Sequence, residues 1–254
     1  MYIISDLLWK EIKSELPIKK SNIGRPEWCP RKTLEGIFYI ITTVAQWRFL
    51  PREYGFKSTV HGKFRKWVKM RIFHKIMCKA KTFYIESNRR LSNWLAIDTS
   101  HSKAPFANWA GKNPTDRRKQ GVKKSIIVDI NGAPLAVIVG PSNKHDSKFL
   151  APTLNELRMK NFDVIAADSA FDSNELRELC IKNKIILKAA TNKRRKKEFK
   201  DYKPAARWIV ERTFGWFVWH RGIKTCWAKT ESSFLAFVQF AASVQLFRMG
   251  GLFG

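Results

Sequence analysis

Two apolar runs of β-forming residues, each closed by an aspartate, constrain this chain more than anything else in it. They are Trp94–Asp98 and Asp163–Asp168. Between them, Ser125–Ile130 and Pro134–Val139 flank Asn131-Gly132, the strongest short-range signal for a hairpin. Helical patterns follow: one from Asp146 through Met159, and one over Ser173–Asn183. A short strand follows at Ile185–Leu187, then helices over Ala205–His220 and Ser232–Met249. The order strand, hairpin, helix, strand, helix, strand, helix predicts an α/β unit over 93–254, a mixed sheet with flanking helices.

Residues 1–92 read differently, as a small helical domain. Ser5 is a candidate cap for a helix over Asp6–Leu16, ended by Pro17. A second helix, Arg31–Val44, is apolar at Leu34, Ile37, Phe38, Ile40 and Ile41. A third, with Ser58 or Thr59 as candidate cap, places Val60, Phe64 and Trp67 on one face. Lys63, Arg65, Lys66 and Lys69 cover its other side, which suits helix-turn-helix-like docking on DNA as well as a plain solvated face.

The charge narrows the partner. The chain has 254 residues, with 48 Lys and Arg against 21 Asp and Glu, a net charge of +27. Such an excess is relieved by a polyanion, so nucleic acid is the expected partner. Further basic clusters lie at Arg117, Arg118, Lys119, Lys123 and Lys124, and at Lys193–Lys197 with Arg194 and Arg195. Hydrophobic residues make up 44%, with 18 Phe and 10 Trp, which excludes a disordered tail and ranks a ribosomal-type basic protein lower. Four cysteines without a CxxC spacing indicate neither a zinc site nor a disulfide framework. A reducing cytoplasm is expected. The first residues do not read as a signal peptide, and the apolar stretch Phe234–Phe247 is too short to span a bilayer.

Three acids are candidate catalysts. Asp98 and Asp168 each close an apolar run, and Glu211 sits inside a helix. If the strands are neighbours, the aspartates converge on one sheet edge and a crossing helix can supply the third oxygen donor. Three carboxylates can hold two Mg²⁺ ions roughly 3.5–4 Å apart for phosphoryl displacement. Each acid also has a plainer reading: a strand-end Asp as a turn residue, and Glu211 as a partner of Arg207. Asp146 reads as a helix N-cap and His145 as a loop hydrogen-bonding residue. Trp216 and Trp219 suit core packing or stacking on an unpaired base.

The local strings point further. They include Gly24-Arg25-Pro26, Gln46-Trp47-Arg48-Phe49-Leu50-Pro51, and Ser58-Thr59-Val60 through Phe64-Arg65-Lys66-Trp67. In the second part they are Ile97-Asp98-Thr99-Ser100, Val128-Asp129-Ile130-Asn131-Gly132-Ala133-Pro134-Leu135, and His145-Asp146-Ser147. Ala167-Asp168-Ser169-Ala170-Phe171-Asp172-Ser173 and Val210-Glu211-Arg212-Thr213-Phe214-Gly215-Trp216 complete the set. In this order the chain resembles bacterial insertion-sequence DDE transposases of the insertion-sequence-five type, within the insertion-sequence-four-like superfamily. The resemblance implies an RNase H-like fold and a metal-binding triad of Asp98, Asp168 and Glu211 with Mg²⁺ or Mn²⁺. It implies action on double-stranded DNA, at an element's terminal inverted repeats and at a target, by a homo-oligomer in the bacterial cytoplasm at the nucleoid. It also implies DNA contact by Arg207, with Arg212 and Arg221 as further candidates. Pro204 stands where the family often has Tyr, Val218 where it often has a base, and Asp168-Ser169-Ala170-Phe171 where Asp-Lys-Gly-Tyr is usual. The alternatives are an inactive or domesticated copy acting as a DNA-binding protein, and a structure-specific nuclease.

Overall fold

The computed structural model describes residues 4–17, 27–88, 93–158, 162–189 and 207–253. Gly24-Arg25-Pro26, the Lys193–Lys197 run with Arg194 and Arg195, and Pro204 lie outside the described residues.

The front of the chain is helical. Helix α1 (Asp6–Ile12) starts where the Ser5 hydroxyl accepts from the Leu8 amide. Helix α2 (Pro30–Thr43) opens on proline at its first turn and stops at Val44, whose φ of 61° leaves the helical path. Helix α3 (Lys57–Lys69) buries Val60, Phe64 and Trp67 as their spacing predicts. Ser58 and Thr59 fall inside its first turn, and no side chain caps it. Helix α4 (Ile72–Ser87) follows the left-handed Arg71.

Six strands form one sheet in which β3 lies between β1 and β4, and β1 lies between β3 and β5. Strand β1 (Trp94–Lys103) pairs antiparallel with β3 (Gln120–Asp129), which pairs antiparallel with β4 (Pro134–Pro141) and the short β2 (Gly111–Lys112). On its other edge β1 pairs in parallel with β5 (Val164–Ala167), and β5 with β6 (Ile186–Ala189). Four antiparallel strands, counting the short β2, extended by two parallel ones form the mixed, RNase H-like sheet expected. The β3–β4 turn holds Asn131-Gly132, but Gly132 alone has a positive φ there, 84°. With β3 ending at Asp129 and β4 beginning at Pro134, the turn spans residues 130–133 and is not a two-residue hairpin loop.

Strand alternation sends side chains to two faces. On one, Ser125 meets Thr153 of α5 (Ser147–Leu157), and Thr99 meets Asp146 just before that helix. On the other, Ser102 donates to the Ile223 carbonyl of α8 (Arg221–Lys224), and α7 (Arg207–Val218) packs on β1 and β3. Helix α6 (Asn174–Lys182), capped by Ser173, packs on β6. Helix α9 (Glu231–Met249) buries residues on nearly every side, packing on β4, α4 and α3. The helices of the front part and the sheet contribute to one continuous apolar cluster.

Candidate active site

The site begins with the way β1 and β5 part. Their parallel pairing runs from Trp94↔Val164 to Ala96↔Ala166 and ends there. Asp98 is two residues further on, in the middle of a ten-residue strand still paired to β3 at Ile126. It therefore does not end its strand, as the apolar run had suggested. It sits beyond the point where the parallel neighbour turns away. Asp168 follows β5 directly, and its carboxylate accepts from the Ala170 amide in a 3₁₀ turn. Asp98 Oδ1 accepts from the Thr99 amide at 2.7 Å. These backbone bonds hold both carboxylates in place.

Asp98 and Asp168 line one small recess, together with Ala96, Ala166 and Val210. Its volume is about 10 Å³, room for about one water-sized body. Two carboxylates facing so small a space suit a hard divalent cation, which prefers oxygen donors. Glu211 is the residue after the lining Val210, on α7, and its side chain is exposed. The structure thus brings two of the three expected acids to one recess and places the third on the helix that covers it. Among the described residues no group of three or more His, Cys, Asp or Glu is gathered closely enough to hold an ion.

A relay from the hairpin turn fixes α7. Thr213 Oγ1 donates to the Gly132 carbonyl at 2.8 Å, and Arg212 Nη2 donates to the Asn131 carbonyl at 2.6 Å. The turn is itself gathered around buried Asp129. The Asn131 and Ala133 amides donate to its Oδ1 at 2.9 Å each, and Tyr84 of α4 donates to Oδ2 at 2.5 Å. Burial, then the bond to Asp129, push the Tyr84 phenol well above its ordinary pKa. Nothing in the residue types marks Asp129 as an anchor; only its place before Asn131-Gly132 hints at it.

A second polar network lies on the opposite face of β1. Lys123 Nζ donates to Asp146 Oδ1 at 2.7 Å and to the Lys144 carbonyl at 2.8 Å, and Thr99 Oγ1 donates to Asp146 at 2.6 Å. Burial works to raise the Asp146 carboxyl, but the bonds from Lys123 and Thr99 outweigh it and hold it below the usual range. Asp146 therefore does not cap α5 with its side chain. His101 bonds Ser142 at 2.8 Å, and burial and Lys123 lower its pKa. His145 bonds Ser147 in its loop at 2.8 Å.

The expected phosphate contacts divide. Arg65, Lys66, Arg117, Arg118 and Arg221 are exposed, and Arg118 with Lys112, Gln120 and Asn143 lines an open groove of about 510 Å³. Arg212 is exposed but lies over Trp208 and Trp216, 4.9 and 5.4 Å from their ring centroids. Lys63 is only 12% exposed at its side chain, donating to the Trp28 carbonyl and paired with Glu27. Lys123 and Lys124 are each 4% exposed. Lys124 bonds Ser102, and burial pushes its pKa down to about 7. Internal partners thus occupy Lys63, Lys123 and Lys124, contrary to the DNA-facing role read from their charge. Arg207 opens α7. Trp219 is 80% exposed, whereas Trp216 is half-buried.

A mixed sheet of this order, with an aspartate pair where its central parallel strands diverge, defines an RNase H-like chain with an acidic centre. Residues 90–244 match the family model described as "Transposase DDE domain", and the chain belongs to that family. Residues 4–77 match the model described as "Putative transposase of IS4/5 family". A Burkholderia cepacia protein described as "Putative transposase for insertion sequence element IS402" is 31% identical over 115 residues, 42% of this chain and 53% of the relative. The chain spans about half the length of that curated relative. Among solved structures, the catalytic core of BIV integrase is 16% identical, covering 58% of this chain and 82% of that one, with a TM-score of 0.33. The piggyBac transposase in a synaptic complex with hairpin DNA is 11% identical, covering 96% and 71%, with a TM-score of 0.43. Both scores are low, and the fold assignment rests on the sheet order.

Proposed function

We propose that this chain is a DNA transposase that cleaves at the ends of a mobile element and joins the freed 3′ ends to target DNA. The observation that carries the reading is the recess shared by Asp98 and Asp168 beneath the helix of Glu211, within the segment matching the transposase domain. In this reading residues 1–92 form a helical DNA-binding domain and 93–254 the catalytic domain. Asp98, Asp168 and Glu211 would hold Mg²⁺ or Mn²⁺, two ions in all. Bound there, the ions supply charge neutralisation and activation of the attacking oxygen.

The chain's own residues supply positioning. The Thr99 and Ala170 amides orient the two aspartates, and the Thr213 and Arg212 bonds to the hairpin turn hold α7 over them. Glu211, exposed on α7 next to the recess-lining Val210, would supply the third carboxylate. Arg65, Lys66, Arg117, Arg118 and Arg221 bind backbone phosphates, with Arg207, Arg194 and Arg195 as further contacts. The partners are the element's terminal inverted repeats and target DNA, engaged by a homo-oligomer in the bacterial cytoplasm. No helix among the described residues is long and apolar enough to cross a membrane.

The test is DNA carrying the element's ends, incubated with the protein and Mg²⁺. Wild type is expected to nick at the ends and join them to target, while Asp98→Asn binds the same DNA without nicking. Equal nicking by both proteins would reject the site. Binding by both with nicking by neither identifies an inactive, DNA-binding copy.

A further inference from the structure

Away from the acidic recess, α4 and the end of α5 bring three reactive side chains into line. His74 and Cys78 lie one turn apart on α4, with Cys78 Sγ 3.5 Å from His74 Nε2. The other ring nitrogen, Nδ1, is 2.6 Å from Glu156 Oε1 on α5. The imidazole thus lies between a thiol and a carboxylate; its contact with Glu156 is an ion pair by distance, without hydrogen-bond geometry, and the His74 and Glu156 side chains are only 11% and 19% exposed. Cys78 itself remains partly open to solvent.

We propose that Cys78 is a reactive-thiol modification site that takes low-molecular-weight disulfides. His74 acts as its proton acceptor and Glu156 orients the ring. This arrangement provides what thiol activation requires: a base in contact with sulfur, a carboxylate fixing the base, and access for the reagent. In the exchange, the Cys78 thiolate attacks one sulfur of the disulfide. A new S–S bond forms to Cys78 as the original one breaks, and the departing thiolate takes the proton held on His74. Cys78 is oxidised and half of the disulfide is reduced, so no other co-reactant is needed.

The charges around the pair agree. The bond to His74 is the largest influence lowering the Cys78 pKa, and Lys81 adds to it against the opposing effects of burial and Glu156. The contacts with Cys78 and then Glu156 raise His74 to about 9. Burial works to raise the Glu156 carboxyl, but His74, then Arg158 and Arg71, outweigh it and hold it below the usual range, and Lys81 is tied to the Leu157 carbonyl at 2.6 Å. The other cysteines differ: Cys29 is exposed, while burial raises Cys180 to about 11 and Cys226 to about 12.

The full chain is incubated with oxidised glutathione at pH 7, and each cysteine is followed by mass spectrometry. Cys78 is expected to gain one glutathione, several-fold faster in wild type than in His74→Gln or Glu156→Gln. Cys180 and Cys226 should stay unmodified, and their protection reports that each variant is folded. Equal rates at Cys78 in wild type and a folded variant overturn the proposal. If neither variant folds, the pH profile of iodoacetamide alkylation of wild-type Cys78 decides. A midpoint below about 8.5, the ordinary thiol value, supports the proposal, and one at or above it refutes it.

Discussion

Removing the Tyr84 hydroxyl tests how the candidate centre is held together. Tyr84 is 1% exposed, and its hydroxyl both donates to Asp129 at 2.5 Å and accepts from the Asn131 side-chain amide at 3.0 Å. Tyr84→Phe keeps the ring and its packing but leaves a buried carboxylate one donor short. Hydrogen bonds to charged groups contribute about 1.5–3 kcal/mol, and neutral ones about 1. The remaining Asn131 and Ala133 amides still satisfy Oδ1, so the expected loss is about 2–3 kcal/mol. For a chain of this length that lowers Tm by about 4–12 °C. Chemical denaturation with an unchanged m-value measures it. The turn around Asp129 also holds Gly132, whose carbonyl accepts from Thr213 on α7. Tyr84→Phe and Thr213→Val should therefore be non-additive by at least about 0.5 kcal/mol in a double-mutant cycle. A loss below about 0.5 kcal/mol for Tyr84→Phe, or strict additivity, would refute the idea that Asp129 ties α4 and the turn to the Glu211 helix.

Other consequences follow from the same contacts. Gly132→Ala puts a Cβ at a φ of 84°, 2.9 Å from Thr213 Oγ1 and 3.1 Å from Arg212 Nη2. It should cost about 1–3 kcal/mol in denaturant titration, and a neutral result would deny the close docking of turn on helix. Lys124, lowered to about 7 when folded, binds fewer protons folded than unfolded between there and its ordinary value near 10.5. Its contribution to stability is therefore fully present above about 10.5 and lost as pH falls towards 7. Lys124→Met should raise stability at neutral pH and reduce its rise between pH 7 and 10 relative to wild type; parallel pH profiles would contradict this. Arg118→Gln should flatten the slope of log binding constant against log salt by about one, while Lys123→Met leaves that slope unchanged and lowers stability. The reverse pattern would place Lys123, rather than Arg118, at the DNA.

The local pattern was sufficient for the features set by neighbours along the chain. The Asn131-Gly132 turn, the buried Val60–Phe64–Trp67 face, the Ser5 cap, the order of strands and helices, and the excess of positive charge were all legible there. These depend on periodicities, turn chemistry and composition that any short window contains. The tertiary structure decided what lies across from what. It made Asp98 a half-buried, mid-strand residue beyond the point where β5 departs, and joined it to Asp168 while leaving Glu211 one step away on α7. It buried Lys123 and Lys124 beneath α5 and α8, turned Asp146 from a cap into a partner of Lys123 and Thr99, and lined up Cys78, His74 and Glu156 from two helices. Strand alternation assigns a residue to a face, but only distant segments determine whether that face meets water, another charge or the core.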